Sequence, residues 1–285
     1  MYIFHSMKEI YETVLRRFCE KIKPTQQIKY HENSDKTAVI IDPRYDDLME
    51  AIIRQHMYFL NAGGWNLLII SHPKYEDRIK KDFPNCLLYF IDEKMITYKN
   101  DIPNITIDGY NSILLNIDFW TNLPTETILI FQKDCFMYKM FDDTFLEYDF
   151  LGASNIICFL ENNIQYIGIN GGLSLRKKTA MIDCILKLDF QNIYKIIEKQ
   201  NIVIEKEHNL YKQNEDIFFS LACEFLGKKL IPYNDRKMFS IEAEYNIDTC
   251  FHHGWNKSYH TQNMTMEILA SNSEYKDFLS NIILQ

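Results

Sequence analysis

Short apolar stretches alternate along the chain with stretches whose apolar positions recur every three or four residues. The apolar stretches lie at residues 37–42 (TAVIID), 66–72 (NLLIISH), 86–92 (CLLYFID) and 127–132 (TILIFQ), and each has the length of a buried β-strand. The stretches at 46–60, 74–83 and 110–123 have the apolar spacing of helices. Strands that alternate with helices predict an α/β fold, in which a mainly parallel sheet is covered by helices on both faces.

The N-terminal residues are set apart from this alternation. Met7, Ile10, Val14 and Phe18 have helical spacing and predict a helix over residues 7–22, which a polar stretch then follows. We therefore divide the chain into an N-terminal helical appendage, residues 1–35, and an α/β domain, residues 36–285. The appendage either packs on the outside of the domain or serves as a dimerisation arm, and the first interpretation is favoured.

Composition restricts the class of protein. The chain has 285 residues, of which 47% are hydrophobic and 25% are charged, as in ordinary soluble proteins. Its formal net charge of -8 gives no overall basic surface for a nucleic acid. A local basic patch could still bind phosphates, because the field inside a cleft depends on the residues that line it.

The number of cysteines and the length of the apolar stretches indicate the cellular compartment. The cysteine count is seven, an odd number, and no two form a C-x-x-C pair, so reduced and mostly buried thiols are predicted. No apolar run approaches the roughly 18 residues of a membrane span, and the N-terminus lacks the apolar centre of a signal peptide. We therefore expect a cytoplasmic protein. The abundance of Ile, Asn, Lys and Tyr suggests an AT-rich genome, such as that of a low-GC microbe or a large DNA virus. If the protein is viral, the expected compartment is the cytoplasm of the host.

Polar residues at the ends of the predicted strands mark the place for a ligand. In mainly parallel sheets, ligands bind beyond the carboxyl ends of the strands. Asp42, His72 and Asp134 lie at or just after such ends. Taken alone, Asp134 is a turn residue, a helix cap or a ligand. Because neither G-x-x-x-x-G-K nor G-x-G-x-x-G occurs, the sequence favours neither a P-loop nor a dinucleotide fold.

The segment NGGLSLRKKTAMID, residues 170–183, combines glycines with cations. The chain has only nine glycines, and Gly171 and Gly172 would let the backbone approach a ligand closely. A helix is predicted to follow, with Arg176, Lys177 and Lys178 near its start. Cations there oppose the helix dipole and need solvent or an anion, for which a diphosphate is one candidate. The alternative is a solvated basic turn.

Two further segments carry titratable side chains. In NEDIFFS, Asn214 can cap a helix whose first turn holds Glu215 and Asp216, so these acids either stabilise the helix or act as a general base. In CFHHGW, the adjacent His252 and His253 on an extended segment point to opposite faces, so at most one enters a given site. Such a histidine is either structural or a ligand for an ion such as Mn²⁺.

The ordered motifs resemble a known family. The segments TAVIIDPR, YFLNAGGWNLLI, ILIFQKDC, YDFLGA, NGGLSLRKKTAM, NEDIFFS, FSIE and FHHGW follow one another over about residues 36–256. Together they resemble an uncharacterised family of glycosyltransferase-like proteins with the GT-A, nucleotide-sugar-binding architecture. The resemblance implies a GT-A-like, Rossmann-like sheet flanked by helices.

The resemblance also implies roles for individual residues. The Asp-x-Asp motif of the GT-A class corresponds to Gln132, Lys133 and Asp134, and only its last acid is present. Asp134 would thus bind a divalent cation, Mn²⁺ or Mg²⁺, together with His252, which is preferred over His253. The turn Asp42-Pro43-Arg44 would touch the nucleotide, and Gly171-Gly172 would be the glycine-rich loop of the class. Arg176, one of the cations noted above, is the candidate to bind the diphosphate of the nucleotide sugar.

The activity implied is transfer of a sugar from a nucleotide-diphosphate donor, with UDP as the class default, to a hydroxyl of a glycan, protein or small molecule. Asp216 would be the base, and Glu215 would bind the acceptor or orient the site; the position of this acidic pair favours inversion. Two alternatives use the same residues: a metal-dependent hydrolase of nucleotide sugars, and a non-catalytic module that binds a nucleotide or glycan. The sequence indicates no oligomeric state.

Overall fold

A computed structural model describes residues 7–160, 165–199, 202–204, 214–242, 244–255 and 262–276. Its strands are β1 Lys36–Ile41, β2 Asn66–Ser71, β3 Leu87–Phe90, β4 Ile96–Lys99, β5 Ile102–Ile105, β6 Thr127–Phe131, β7 Cys135–Met137, β8 Phe150–Leu160, β9 Gln165–Lys177, β10 Ile202–Ile204, β11 Ser240–Ile241 and β12 Phe251–His253. Its helices are α1 Met7–Ile22, α2 Asp47–Leu60, α3 Glu76–Asp82, α4 Ile107–Leu114, α5 Ile117–Thr121, α6 Lys178–Lys187, α7 Phe190–Lys199, α8 Glu215–Phe225, α9 Tyr233–Phe239 and α10 Gln262–Ser271.

Seven strands form the central sheet, in the order β10-β8-β9-β6-β1-β2-β3. Strand β1 pairs in parallel with β2 and β6, and β2 pairs in parallel with β3. Strand β9 runs antiparallel to both β6 and β8, and β10 runs antiparallel to β8. Five of the seven strands therefore point the same way, which confirms the predicted mainly parallel α/β sheet. A smaller sheet has the order β11-β12-β7, and β4 and β5 form a hairpin.

Both faces of the central sheet are buried, and the strand β1 shows how. Its side chains alternate between the faces, as in any strand. Ala38 and Ile40 belong to the apolar cluster that includes α1, α2 and the small sheet. Val39 and Ile41 belong to a second cluster, formed with α4 to α8. A strand covered on both faces needs a continuous apolar stretch, which is the pattern visible in TAVIID.

The N-terminal helix α1 packs into the first of these clusters. Tyr11, Val14 and Phe18 are each at most 1% exposed, and they lie among side chains of α2, β7 and β12. Tyr11 reaches the ring of Trp255, with 5.4 Å between the ring centroids. The helix predicted as an appendage thus packs directly into the core of the residues that follow it.

Most predicted helices and strands occur within a few residues of their predicted bounds. The helix predicted over 110–123 is instead two helices, α4 and α5, because Asn116 starts a new one: its side chain accepts a hydrogen bond from the Asp118 amide at 2.9 Å. The cations expected near a helix start lie there, since α6 begins at Lys178 and Lys177 is its N-cap residue, while Arg176 belongs to the end of β9. The strands β8, β9 and β10, the helices α7, α9 and α10, the hairpin β4–β5 and the small sheet were not predicted.

A buried histidine on α2 makes stability depend on pH. His56 is fully buried and its Nδ1–H donates to the Ile52 carbonyl at 2.9 Å. Burial lowers its pKa from 6.5 to about 4, although the Ile52 carbonyl acts in the opposite direction. Below the ordinary pKa the unfolded chain binds the proton more readily, so stability falls as the pH drops from about 6.5 to about 4. At 1.36 kcal/mol per pH unit, His56 should cost roughly 2 to 3 kcal/mol between pH 7 and pH 4.5.

Urea unfolding of the wild-type protein and of His56→Phe at these two pH values measures this contribution. Phe keeps the stack on Phe131, whose ring centroid lies 4.4 Å from that of His56. Other titrating groups act alike in both proteins, so the difference in pH dependence isolates His56. Equal losses in the two proteins would contradict the prediction.

Candidate functional site

A polar cleft of about 480 Å³ opens at the carboxyl ends of β1 and β6. This is the edge of the sheet at which the sequence predicted a ligand, because ligands bind beyond the carboxyl ends of parallel strands. Carboxylates, amides, two cations, one imidazole and a few apolar side chains share its wall. It is lined by Ile41, Asp42, Arg44, Ile105, Thr106, Ile107, Tyr110, Asn111, Gln132, Lys133, Asp134, Asn170, Gly172, Asn214, Glu215, Asp216 and His253.

The turn after β1 holds a cation at the cleft. The Asp42 carboxylate accepts hydrogen bonds from Arg44 Nε at 2.9 Å and from Arg44 Nη2 at 2.8 Å. These hydrogen bonds raise the pKa of Arg44. The fork-shaped guanidinium is therefore held in one orientation by a charge-assisted pair. Arg44 remains 43% exposed at its side chain, so it can also meet an anion from solution.

The turn after β6 is fixed by its own hydrogen bonds. The Cys135 amide donates to the Gln132 carbonyl at 3.0 Å, and the Gln132 amide donates to Cys135 Sγ at 3.1 Å. Lys133 Nζ donates to Asp46 Oδ2 at 2.6 Å. Partial burial acts to raise the pKa of Asp46, but hydrogen bonds from Lys133 and the Met49 amide give a net lowering. The turn therefore presents Asp134 to the cleft from a rigid position.

The small sheet brings a distant histidine to Asp134. Strands β7 and β12 pair antiparallel with Cys135 opposite His253. The Gly254 amide donates to the Asp134 carbonyl at 2.8 Å and extends the pairing by one residue. As a result, His253 Nε2 lies 3.7 Å from Asp134 Oδ1.

The adjacent His252 points the other way, because side chains alternate along a strand. Its Nδ1 lies 2.5 Å from the Tyr11 hydroxyl and 3.4 Å from the Tyr138 hydroxyl, in the core beneath α1. His252 is not among the residues that line the cleft. The structure thus places His253, and not the preferred His252, beside Asp134. The sequence established the alternation, but which face meets the cleft depends on how the small sheet packs against the large one.

The environment of His253 fits a cation. The imidazole is 4% exposed, and neither ring nitrogen has a hydrogen-bond partner among the described residues. Its Nδ1 lies 3.5 Å from Glu242 Oε2, so carboxylates flank the ring on both sides. Burying polar nitrogens without partners costs free energy, which an ion at Nε2 would offset.

The absence of a side chain at Gly172 leaves room for that ion. A Cβ at Gly172 would lie 2.6 Å from Gln132 Oε1 and still closer to His253 Nε2. Ligand atoms of Asp134, Cys135 and His253 all lie within 4.8 Å of one another. Oxygen and nitrogen ligands that converge on one small volume fit a divalent transition-metal ion.

The acidic pair at the start of α8 is divided between two environments. Glu215 is 3% exposed and accepts from Arg176 Nη1 at 2.7 Å and from Nη2 at 3.1 Å. The Arg176 guanidinium lies 4.8 Å from the ring centroid of Phe150 and is fully buried. Arg176, predicted to face a diphosphate, therefore lies outside the cleft lining and holds Glu215, which does line the cleft, from behind. Gly171 permits this arrangement, since a Cβ there would collide with Glu215 Oε1.

The N-terminus of α8 is held by a neighbouring helix. Asn214 occupies the N-cap position, but its side chain does not cap the helix as predicted. The Asn111 side chain on α4 accepts from the Glu215 amide at 3.3 Å and donates to Asn214 Oδ1, also at 3.3 Å. Asp216 lines the cleft, and its Oδ1 accepts from the Ile217 amide at 2.8 Å.

Tyr110 supplies a phenol to the same wall. Burial of the hydroxyl raises its pKa, and the negative charge of Glu215 raises it further. The hydroxyl therefore stays protonated at neutral pH and can act as a hydrogen-bond donor.

Eight of the predicted site residues line the cleft: Asp42, Arg44, Gln132, Lys133, Asp134, Gly172, Glu215 and Asp216. Four do not: Pro43, Gly171, Arg176 and His252. Among the lining residues that the sequence did not predict, Asn170 directly precedes the glycine pair and could have been found there. Tyr110 and Asn111 lie on an amphipathic helix, where the sequence gives no signal for a site.

A family model covers most of this site. Residues 93–260 match the family described as "Protein of unknown function (DUF5672)". The chain belongs to this family. The matched range includes Asp134, the glycine pair, Asp216 and His253, while Asp42 and Arg44 precede it. No curated relative matches the chain.

Several solved glycosyltransferase structures resemble the chain. Mouse xyloside xylosyltransferase 1 in its apo form has 10% identity and a TM-score of 0.44, with 73% of this chain and 88% of that chain covered. An active-site mutant of LgtC has 11% identity and a TM-score of 0.45, with coverage of 84% and 96%. Apo GlyE from Streptococcus pneumoniae TIGR4 has 13% identity and a TM-score of 0.40, with coverage of 88% and 63%.

In the part of the chain that the structure describes, no helix has the length and apolar character needed to cross a membrane.

Proposed function

We propose that this protein is a glycosyltransferase that moves a sugar from a nucleoside-diphosphate donor to an acceptor hydroxyl, with a divalent cation bound by Asp134 and His253. The observation that carries the proposal is the arrangement in one cleft of a buried, unpartnered His253 imidazole facing Asp134, with Asp216 lining the same cleft. The ordered motifs of the sequence support the same activity.

The cleft offers complementary chemistry for each part of the donor. Arg44 and Lys133 supply positive charge for a diphosphate, and both side chains are held by carboxylates. Ile105, Ile107 and Tyr110 form an apolar stretch of the lining that suits a nucleobase, for which we propose uridine. The volume of about 480 Å³ falls in the range of roughly 300 to 1,000 Å³ typical of small-molecule sites.

The ion that Asp134 and His253 would hold, Mn²⁺ or Mg²⁺ in the first instance, neutralises negative charge on the departing diphosphate when bound. Gln132 stands at the position of the first acid of an Asp-x-Asp motif. Its Oε1 borders the same space beside Gly172 that His253 Nε2 borders. A neutral amide there makes the site less negative by one charge than two acids would.

Asp216 is the proposed general base. It would accept the proton of the acceptor hydroxyl while that oxygen bonds to the anomeric carbon and the bond from carbon to the diphosphate oxygen breaks. Glu215 is engaged with Arg176, so its proposed role is to orient the start of α8. When a base deprotonates the acceptor hydroxyl and that oxygen displaces the diphosphate directly, the configuration at the anomeric carbon is inverted. NMR of the product would show this inversion.

A thermal-shift panel of nucleoside diphosphates and sugar nucleotides, with and without Mn²⁺, tests the proposal. We expect a uridine nucleotide to raise the melting temperature when Mn²⁺ is present, because a ligand that binds only the folded state stabilises it. The same donor should then support transfer to an acceptor. Cleavage of the donor that no acceptor stimulates would indicate a hydrolase, and binding without turnover at any metal concentration would indicate a binding module.

The two adjacent histidines provide a matched pair of variants. We expect His253→Ala to abolish the Mn²⁺-dependent rise in melting temperature, because it removes a ligand atom. His252→Asn should lower the melting temperature of the free protein, since the Tyr11 contact is lost, yet retain the Mn²⁺ response. A ligand at 100 times its Kd stabilises by about 2.7 kcal/mol, so the lost response is measurable. The reverse pattern would assign the cation to His252.

A further inference from the structure

A cysteine faces the cation site that the proposed function uses. Cys135 directly follows Asp134 and lies opposite His253 in the β7–β12 pairing, so the two side chains share one face of the small sheet. Its Sγ lies within 4.8 Å of the nearest ligand atoms of both Asp134 and His253. It accepts from the Gln132 amide at 3.1 Å and donates to the Gly172 carbonyl at 3.5 Å.

The partners of this thiol resemble those of a ligand more than those of a core cysteine. A backbone amide aimed at sulfur stabilises negative charge there, as outer hydrogen bonds do for metal-bound ligands. Behind His253, Glu242 Oε2 lies 3.5 Å from Nδ1 and accepts from Asn170 Nδ2 at 2.8 Å. At this distance no hydrogen bond is formed, but a carboxylate beside Nδ1 favours the proton on that nitrogen and leaves Nε2 to face a metal.

We propose that Asp134, Cys135 and His253 form a three-ligand site for a borderline-soft divalent ion, of which Zn²⁺ and Co²⁺ are the chemical type. The inference rests on the cation site of the proposed function and goes further by naming the class of ion. Three protein ligands leave a fourth coordination position open, as in catalytic zinc sites. Here a phosphate oxygen of the nucleotide-sugar donor would occupy that position.

The physical basis is the match between ligand and ion. Thiolate and imidazole prefer Zn²⁺ and its neighbours, whereas Mg²⁺ prefers oxygen ligands and keeps its waters. On binding, the Cys135 proton passes to water, and the sulfur–metal bond replaces the contact with the Gly172 carbonyl. Affinity should therefore follow the order Mg²⁺, then Mn²⁺, then Co²⁺ and Zn²⁺, from weakest to strongest.

Absorption spectroscopy with Co²⁺ tests this directly on the wild-type protein. We expect one equivalent of Co²⁺ to give visible bands of four-coordinate cobalt together with a thiolate-to-cobalt charge-transfer band in the near ultraviolet. One equivalent of Zn²⁺ should remove these bands, and excess Mg²⁺ should leave them. A wild-type spectrum without the charge-transfer band would overturn the proposal, whether or not any variant folds.

Two cysteine variants locate the sulfur. Cys135→Ser should lose the charge-transfer band and bind Co²⁺ more than about 10-fold more weakly, since removing even an outer partner of a metal ligand costs about 10- to 100-fold. Cys250→Ser is the matched control, because Cys250 is also buried, immediately precedes β12 and lies outside the cleft lining. A band that persists in Cys135→Ser would refute the assignment.

The two proposals fail in different ways. Cobalt that binds through His253 without a thiolate band leaves the glycosyltransferase proposal intact and removes Cys135 from the site. A thiolate band without any sugar transfer supports the metal site and contradicts the proposed activity.

Discussion

Replacing Asp216 by Asn is expected to lower glycosyl transfer by about 10²- to 10⁴-fold, the usual contribution of a general base. Asn is nearly the same size and can keep the contact with the Ile217 amide through its oxygen, so α8 should remain in place. The amide cannot accept the proton of the acceptor hydroxyl. Donor binding, measured calorimetrically with UDP and the metal, should stay near that of the wild-type protein.

Glu224→Gln is a suitable control for this experiment. Glu224 lies on the same helix, is exposed to solvent and is not among the residues of the cleft lining. Its neutralisation changes the charge of α8 by the same amount, so it should leave turnover unchanged. If Asp216→Asn retained turnover within a few fold of the wild type, Asp216 would not be the base. If both variants lost activity, the cause would be the charge of the helix and not proton transfer.

Replacing Arg176 by Met is expected to destabilise the fold by about 3 to 5 kcal/mol, which is typical when one partner of a buried ion pair is removed. The Arg176 and Glu215 side chains are 0% and 4% exposed. The guanidinium also lies 4.8 Å from the ring centroid of Phe150 and 5.3 Å from that of Phe219. Without it, the Glu215 carboxylate would stay buried with no counter-charge. Urea unfolding at pH 7 measures the loss.

The double variant Arg176→Met with Glu215→Gln separates this cause from lost packing. Because the buried charge is removed together with its partner, the double variant should recover part of the lost stability. The matched control is the surface ion pair between Lys187 and Asp183 on α6, whose nitrogen and oxygen lie 2.8 Å apart. Lys187→Met should change stability by less than about 1 kcal/mol, as for other surface pairs. An equally small effect at Arg176 would show that Glu215 finds another partner.

The strands and helices that carry the cleft were predictable because each has a local pattern. Buried strands such as β1 and β6 are continuous apolar stretches, and helices such as α2 and α8 have apolar faces at helical spacing. The position of the site at the strand ends follows from the alternation of strands and helices, so Asp42 and Asp134 could be found. The close approach at Gly171 and Gly172 was also predictable, since glycine alone leaves such room.

The sequence by itself determined the α/β fold, the polar turns after the strands and the alternation of His252 and His253. Only the tertiary structure decided that His253 meets Asp134, that Cys135 lies beside them and that Arg176 is held by Glu215 behind the cleft wall. The physical reason is range: periodicity and capping act over a few residues, whereas these contacts join β7 to β12 and β9 to α8. Their partners are far apart in the chain, and no local pattern records which face of a strand will be buried against which element.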